Sequence, residues 1–221
     1  MVVVVSLGGS LVFDKKLDTG YLKKLARLLR ESKKQYCITV GGGKISRDYI
    51  SAAREFKENN FELDMIAIQL TKANARIAAS AFGGLFFDKI SEAADFIAIE
   101  DKTVVLGGTS PGQSTDTVAA LLAEDIKAER FVNLSNVNGI YDKDPKKRGA
   151  KLIKKMTHKD LTKFAFENDE RQPGKHFIID SMAAKILERA NIEGHFVNGK
   201  KWKDVKPALL GKPHSGTLVK N

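Results

Sequence analysis

The 221-residue chain is 43% hydrophobic, enough to bury the core of one sizeable α/β domain and too short for two unrelated ones of that size. Its formal charge of +10 is spread over short basic clusters at 146–148, 154–155 and 200–203, without the interleaved aromatics of a nucleic-acid surface. Such an excess suits phosphorylated anionic substrates. Cys37 is the only cysteine, so an internal disulfide is excluded, and no run approaches the ~20 apolar residues of a membrane helix. The stretch 2–5 lacks a preceding basic segment and is too short for a signal-peptide core, so a soluble, cytoplasmic protein is expected.

In chain order, a strand is predicted at 2–7, followed by a helix that sets Tyr21, Leu22, Leu25, Leu28 and Leu29 on one face. A strand at 36–40 leads into helices at 45–58 and 63–81. Short strands are expected at 85–87, 96–99 and 103–106, then a helix at 115–128 and a strand at 131–134. Helices at 158–167 and 180–191, with Thr157 and Asp180 as N-caps, precede strands at 195–197 and 217–219. This alternation predicts a largely parallel central sheet, with a first lobe to about residue 130 and a second after it.

Three glycine clusters each follow a predicted strand: Gly8-Gly9-Ser10, Gly41-Gly42-Gly43, and Gly107-Gly108-Thr109 with Gly112. Glycine lets a backbone N–H approach an anion with no Cβ in the way, and a following helix adds the positive end of its dipole. In a parallel sheet the three turns lie along one edge, where they can hold several phosphates. No GxxxxGK[ST] run and no GxGxxG after the first strand is present, which sets aside P-loop kinases and weakens a dinucleotide reading.

Five ordered segments, Ser6 to Ser10, Gly41 to Lys44, Gly107 to Glu124 (GGTSPGQSTDTVAALLAE), Ser135 to Tyr141 with Asp144-Pro145, and Asp180 to Lys185 (DSMAAK), resemble the amino acid kinase family, in particular its archaeal-type uridylate kinases. The resemblance spans essentially the whole chain. It implies a single domain, 1–221, folded as a three-layer αβα sandwich with a mostly parallel sheet, whose first half takes the phosphate acceptor and whose second half takes ATP. It also implies transfer of the ATP γ-phosphate to UMP, with Mg²⁺ carried by the nucleotide, in a hexameric homo-oligomer. Isopentenyl phosphate kinase and a non-catalytic nucleotide- or oxyanion-binding relative are the alternatives. The former's histidine after the triple glycine is absent here, where Lys44, Ile45, Ser46 and Arg47 follow.

Phosphoryl transfer depends on alignment and charge neutralisation, so cations and amide donors should dominate the site. Lys185 resembles the family lysine on the transferred group, and Asp116 the aspartate that orients basic groups; Asp116 also fits simple helix capping. Arg47, one turn past the triple glycine, can fold its fork over the same anion. With Gly9, Ser10 and Gly43 it is assigned to ATP, together with Ser135, Asn136, Tyr141 as an adenine face and Asp144 as a ribose acceptor. Tyr141 fits core packing equally. For UMP the resemblance implies Gly42, Asp64, Gly112, Gln113, Ser114, Thr115, Asp116, Thr117 and Val118, with Asp64 also readable as a charge at a helix start. Many family members carry a lysine where Ser6 stands here; Arg47, Lys44 or Lys212 are its candidate replacements. No metal ligand set is expected from His158, His176, His195 and His214, which share no spacing.

Overall fold

The computed structural model describes residues 1–168 and 178–221. Its elements are β1 (Val2–Leu7), α1 (Gly9–Val12), α2 (Thr19–Ser32), β2 (Gln35–Val40), α3 (Gly43–Glu55), α4 (Asn60–Phe82), β3 (Leu85–Phe87), α5 (Ile90–Ile99), β4 (Val104–Leu106), α6 (Thr115–Asp125), β5 (Arg130–Ser135), β6 (Lys155–Met156), α7 (His158–Asn168), α8 (Ser181–Ala190), β7 (Gly194–Asn198), α9 (Trp202–Leu209) and β8 (Thr217–Val219).

The strands form one sheet in the order β3-β4-β2-β1-β5-β7-β8-β6, in which the β7–β8 pair is antiparallel and the other pairs are parallel. β1 sits at the centre and alternates its side chains between two cores. Val3, Val5 and Leu7 face a layer built from α2, α4 and α9, while Val4 faces α5, α6, α7 and α8. Both faces of the β-branched run are therefore covered, as parallel sheets require. On α2, Tyr21, Leu22, Leu25 and Leu29 are buried as the helical spacing predicts, and each such aliphatic side chain contributes about 1.5–3 kcal/mol. The three-layer αβα sandwich is the expected one.

The stretch 96–99 is a correction: it is the last turn of helix α5, not a strand. Ala93 and Ile97 lie one turn apart and are both buried, so helical spacing wins over the local β preference of Phe96 and Ile97. The helix expected at 115–128 stops at Asp125, with Lys127 in the left-handed region. Helix α9, with Pro207 inside it, and the two-residue β6 were not foreseen. Asp180 caps α8 by accepting from the Ala183 amide, and Thr157 and Asp160 cap each other reciprocally at the start of α7.

Cys37 is fully buried, and burial pushes its thiol up to about 12, so it serves as a small hydrophobe. His195 and His214, unrelated by spacing, meet between β7 and the segment before β8, Nδ1 to Nε2 at 2.9 Å, and burial holds both below the usual imidazole range. His176 lies outside the described residues.

Candidate active site

The parallel strands place the ends of β1, β2, β4 and β5 along one edge, and three glycine turns leave from it. The first two interlock. The Gly8 amide donates to the Leu134 carbonyl at 2.8 Å and the Gly41 amide to that of Leu7 at 2.9 Å. A Cβ on Gly9 would stand 2.1 Å from the Gly43 nitrogen, and Gly43 itself has φ +70°, so neither position admits a side chain.

Helix α4 fastens the second and third turns from beneath. Asn74 Nδ2 donates to the Gly41 and Gly42 carbonyls, both at 3.0 Å. Thr71 Oγ1 accepts from the Gly108 amide at 2.7 Å while donating to the Ile68 carbonyl. Both side chains are buried. Sequence reasoning missed them, although a buried asparagine and threonine on the apolar face of a helix are a readable signal.

Beside the turns lies an acidic centre. Ser6 pairs in register with Thr39 on β2 and with Asn133 on β5. The Ser6 hydroxyl and Asn133 Nδ2, the latter at 2.9 Å, donate to the Asp116 carboxylate in the first turn of α6. Thr39 Oγ1 donates to the Thr115 carbonyl at 3.0 Å, so three adjacent strands fix the start of α6. Ser114 caps that helix by accepting from the Asp116 and Thr117 amides, and its hydroxyl donates to Asp180. Asp180 Oδ1 also accepts from Thr117 Oγ1 at 2.8 Å and from the Ala183 amide at 3.0 Å. Burial, together with the neighbouring Asp180 carboxylate, pushes the Asp116 carboxyl up to about 7 against the pull of its two hydrogen bonds.

On the α4 side, Asp64 Oδ2 accepts from the Gly112 amide at 2.8 Å, and Thr109 Oγ1 donates to Gln113 Oε1 at 3.1 Å. Arg47 sits half-buried on α3, one turn past Gly43. On the far side of β1, Ser135 ends β5, and its hydroxyl accepts from the Val137 amide. Tyr141 is half-buried and accepts from Asn138 Nδ2, while the exposed Asp144 accepts from the Lys146 amide at 2.9 Å. Asn198, at the end of β7, closes this segment by donating to the Asn136 carbonyl and the Asn138 side chain.

The amino acid kinase family profile matches residues 1–198. The chain belongs to the amino acid kinase family. It is 36% identical over 226 residues to a uridylate kinase of Thermococcus kodakarensis and 38% identical over 227 residues to one of Methanococcus aeolicus, each comparison covering 99% of both chains. The crystal structure of a uridylate kinase from Archaeoglobus fulgidus superposes with a TM-score of 0.85 at 32% identity, covering 99% of this chain and all of that one.

Four of the expected residues lie away from the acidic centre or are already partnered. Lys185 does not join the acidic centre: it lies on the exposed face of α8, and its ammonium binds Glu188 Oε2 at 3.1 Å. The start of α8 is brought to the centre by Asp180 instead. Val118 is wholly buried among apolar side chains and its amide is taken by the Ser114 carbonyl, so it packs rather than binds. Lys212 follows α9, where Gly211 lies against Arg130 at the start of β5, the edge opposite the glycine turns. Lys44 is beside Gly43, but its ammonium is held by both Asp48 oxygens at 2.6 and 2.7 Å.

Proposed function

We propose that this amino acid kinase transfers the γ-phosphate of ATP to UMP, giving UDP and ADP. The observation that carries the reading is the interlocking of the Gly9 and Gly43 turns beside Asp116, which sets two phosphate cradles back to back along one sheet edge. The full-length similarity to proteins named uridylate kinase supports UMP as the acceptor.

The first turn, through Gly9 and Ser10, takes the donor phosphates, and Ser135, Asn136, Tyr141 and Asp144 take the nucleoside of ATP. Gly42, Gly43 and Arg47 meet the phosphates where donor and acceptor come together. Asp64 and the loop from Gly112 to Thr117 hold the UMP nucleoside, with Asp64 also fixing the loop through the Gly112 amide. The acceptor is itself a phosphate, so no strong base is needed and the residues act by alignment and by charge. Asp116, anchored by Ser6 and Asn133, orients donors at the crossing point. Magnesium would be carried by the phosphate oxygens of the nucleotide and would supply positive charge to them when bound. A cytoplasmic location, where both nucleotides occur, goes with this reading and is checked by cell fractionation.

A coupled assay of ADP release with UMP, CMP, AMP and no acceptor tests it. UMP-dependent release well above the rest is expected; ATP binding with no acceptor-dependent ADP would move the chain to the non-catalytic relatives.

A further inference from the structure

Residues 214–217 lead into β8, which runs antiparallel to β7, and each is fastened by a different neighbour. Ser215 is clamped to α9: its amide and hydroxyl donate to the two Asp204 carboxylate oxygens at 2.8 and 2.6 Å, and its carbonyl accepts from Lys154 Nζ. Gly216 and Thr217 press on the segment 138–140. A Cβ on Gly216 would stand 3.1 Å from the Asn138 carbonyl oxygen and 2.1 Å from that of Phe196, so only glycine passes. The buried Thr217 Oγ1 accepts from the Ile140 amide at 2.9 Å and donates to the Ile153 carbonyl. A Cβ on Gly139 would meet that hydroxyl at 2.7 Å.

His214 is held by a chain of three hydrogen bonds whose ends set its direction. The Gly216 amide donates to His214 Nδ1 at 3.1 Å, so the His214 proton is on Nε2. That N–H donates to Nδ1 of the buried His195 at 2.9 Å, and His195 Nε2–H donates to Glu193 Oε1 at 2.8 Å. With both rings neutral every position is matched. One further proton is one donor too many: on His195 it sets N–H against N–H between the rings, and on His214 it turns Nδ1 against the Gly216 amide. Among the described residues the charged groups around the pair are Glu193 and Lys220 beside β7 and β8, Arg130 on β5, Lys154 before β6 and Asp204 on α9. Burial, with Arg130 against His195 and Lys154 against His214, outweighs the pull of the two carboxylates and holds both rings below their ordinary 6.5.

We infer that His195 and His214 form a proton-operated latch on the donor nucleoside segment: the neutral pair holds residues 214–217 against 138–140, and uptake of a proton releases them and weakens ATP binding. The inference rests on the assignment of Ser135, Asn136, Tyr141 and Asp144 to the donor nucleoside. The folded state excludes protons that the unfolded state binds. Stability from the pair is therefore complete above about pH 6.5 and is lost as pH falls from there through the lowered folded values.

Calorimetric titration of the full chain with ATP and with UMP at pH 7.5 and 5.5, in wild type and His214→Gln, reads the coupling; the nucleotides' own protonation is common to both proteins. Between the two pH values the wild type should lose about threefold to tenfold more ATP affinity than the variant, tenfold being the ceiling for one proton one unit below about 6.5. UMP should change alike in the two proteins, to within about twofold. Melting temperatures of the ligand-free proteins should fall further in the wild type over the same range. If His214→Gln does not fold, the imidazole proton resonances of the wild type serve: reciprocity requires ATP to lower the pH at which the pair titrates, and an unmoved titration overturns the inference. An acid loss of ATP affinity equal in wild type and variant overturns it as well. With a larger melting loss confined to the wild type, the donor assignment is then at fault; without one, the latch itself is.

Discussion

Asp116 occupies a position where its ionisation costs the ligand-free fold, because burial and Asp180 raise its carboxyl from 3.8 to about 7. Between those values the folded state holds a proton that the unfolded state has released. Stability from this group is therefore complete below about pH 4 and is lost as pH rises through 7. Asp116→Asn should remove that slope, melting closer to the same temperature at pH 5 and pH 8 than the wild type does, with a relative gain at pH 8. Turnover should fall about 100-fold in the same variant through loss of the orienting charge. Lys185→Ala, which breaks only an exposed pair with Glu188, should stay within about threefold in turnover and serves as the control. A wild-type melting slope in Asp116→Asn, or a loss in Lys185→Ala as large as in Asp116→Asn, would contradict this assignment.

At the scale of elements, α4 acts as the fastener of the site. Asn74→Ala strips the Gly41 and Gly42 carbonyls of their shared donor, and leaving such buried groups unpaired costs about 1–3 kcal/mol. Thermal melts should show that loss, and KM for both nucleotides should rise; a rise for one alone would mean that the turn does not serve both cradles. The long periodic segments were legible in the sequence: β1 from its β-branched run, α2 from its apolar stripe, α8 from its Asp180 cap. Residues 96–99 were not, because a short run with Phe96 and Ile97 fits either period and only packing on α6 and β4 decides it. The glycine turns were legible as turns, and Asp116 as a helix-start carboxylate. Their partners were not: Ser6, Asn133 and Asp180 come together only through strand register and the approach of α8 to α6, which no local pattern encodes. The exposed face of α8 on which Lys185 lies was not legible for the same reason, since position along the chain does not reveal which face a residue takes.

Across the whole molecule, the central pairing of β1 with β5 makes the two halves one continuous sheet. Tyr49 on α3, Phe56 at its C-cap, and Phe61 and Met65 on α4 leave large apolar side chains exposed close together in the chain. We propose that a second copy covers them on the way to a homo-oligomer, a hexamer by the family expectation. Light scattering should then give a multiple of the 24.3 kDa chain mass, and a monomer would refute the proposal. The central claim is that the turns at Gly9 and Gly43 hold donor and acceptor phosphates end to end beside Asp116. A crystal structure with UMP and a non-hydrolysable ATP analogue measures this directly. The expected map has the terminal donor phosphate over Gly9 and Ser10 and the UMP phosphate over Gly42 and Arg47, in line with each other; nucleotide phosphates lying away from this edge would contradict the account.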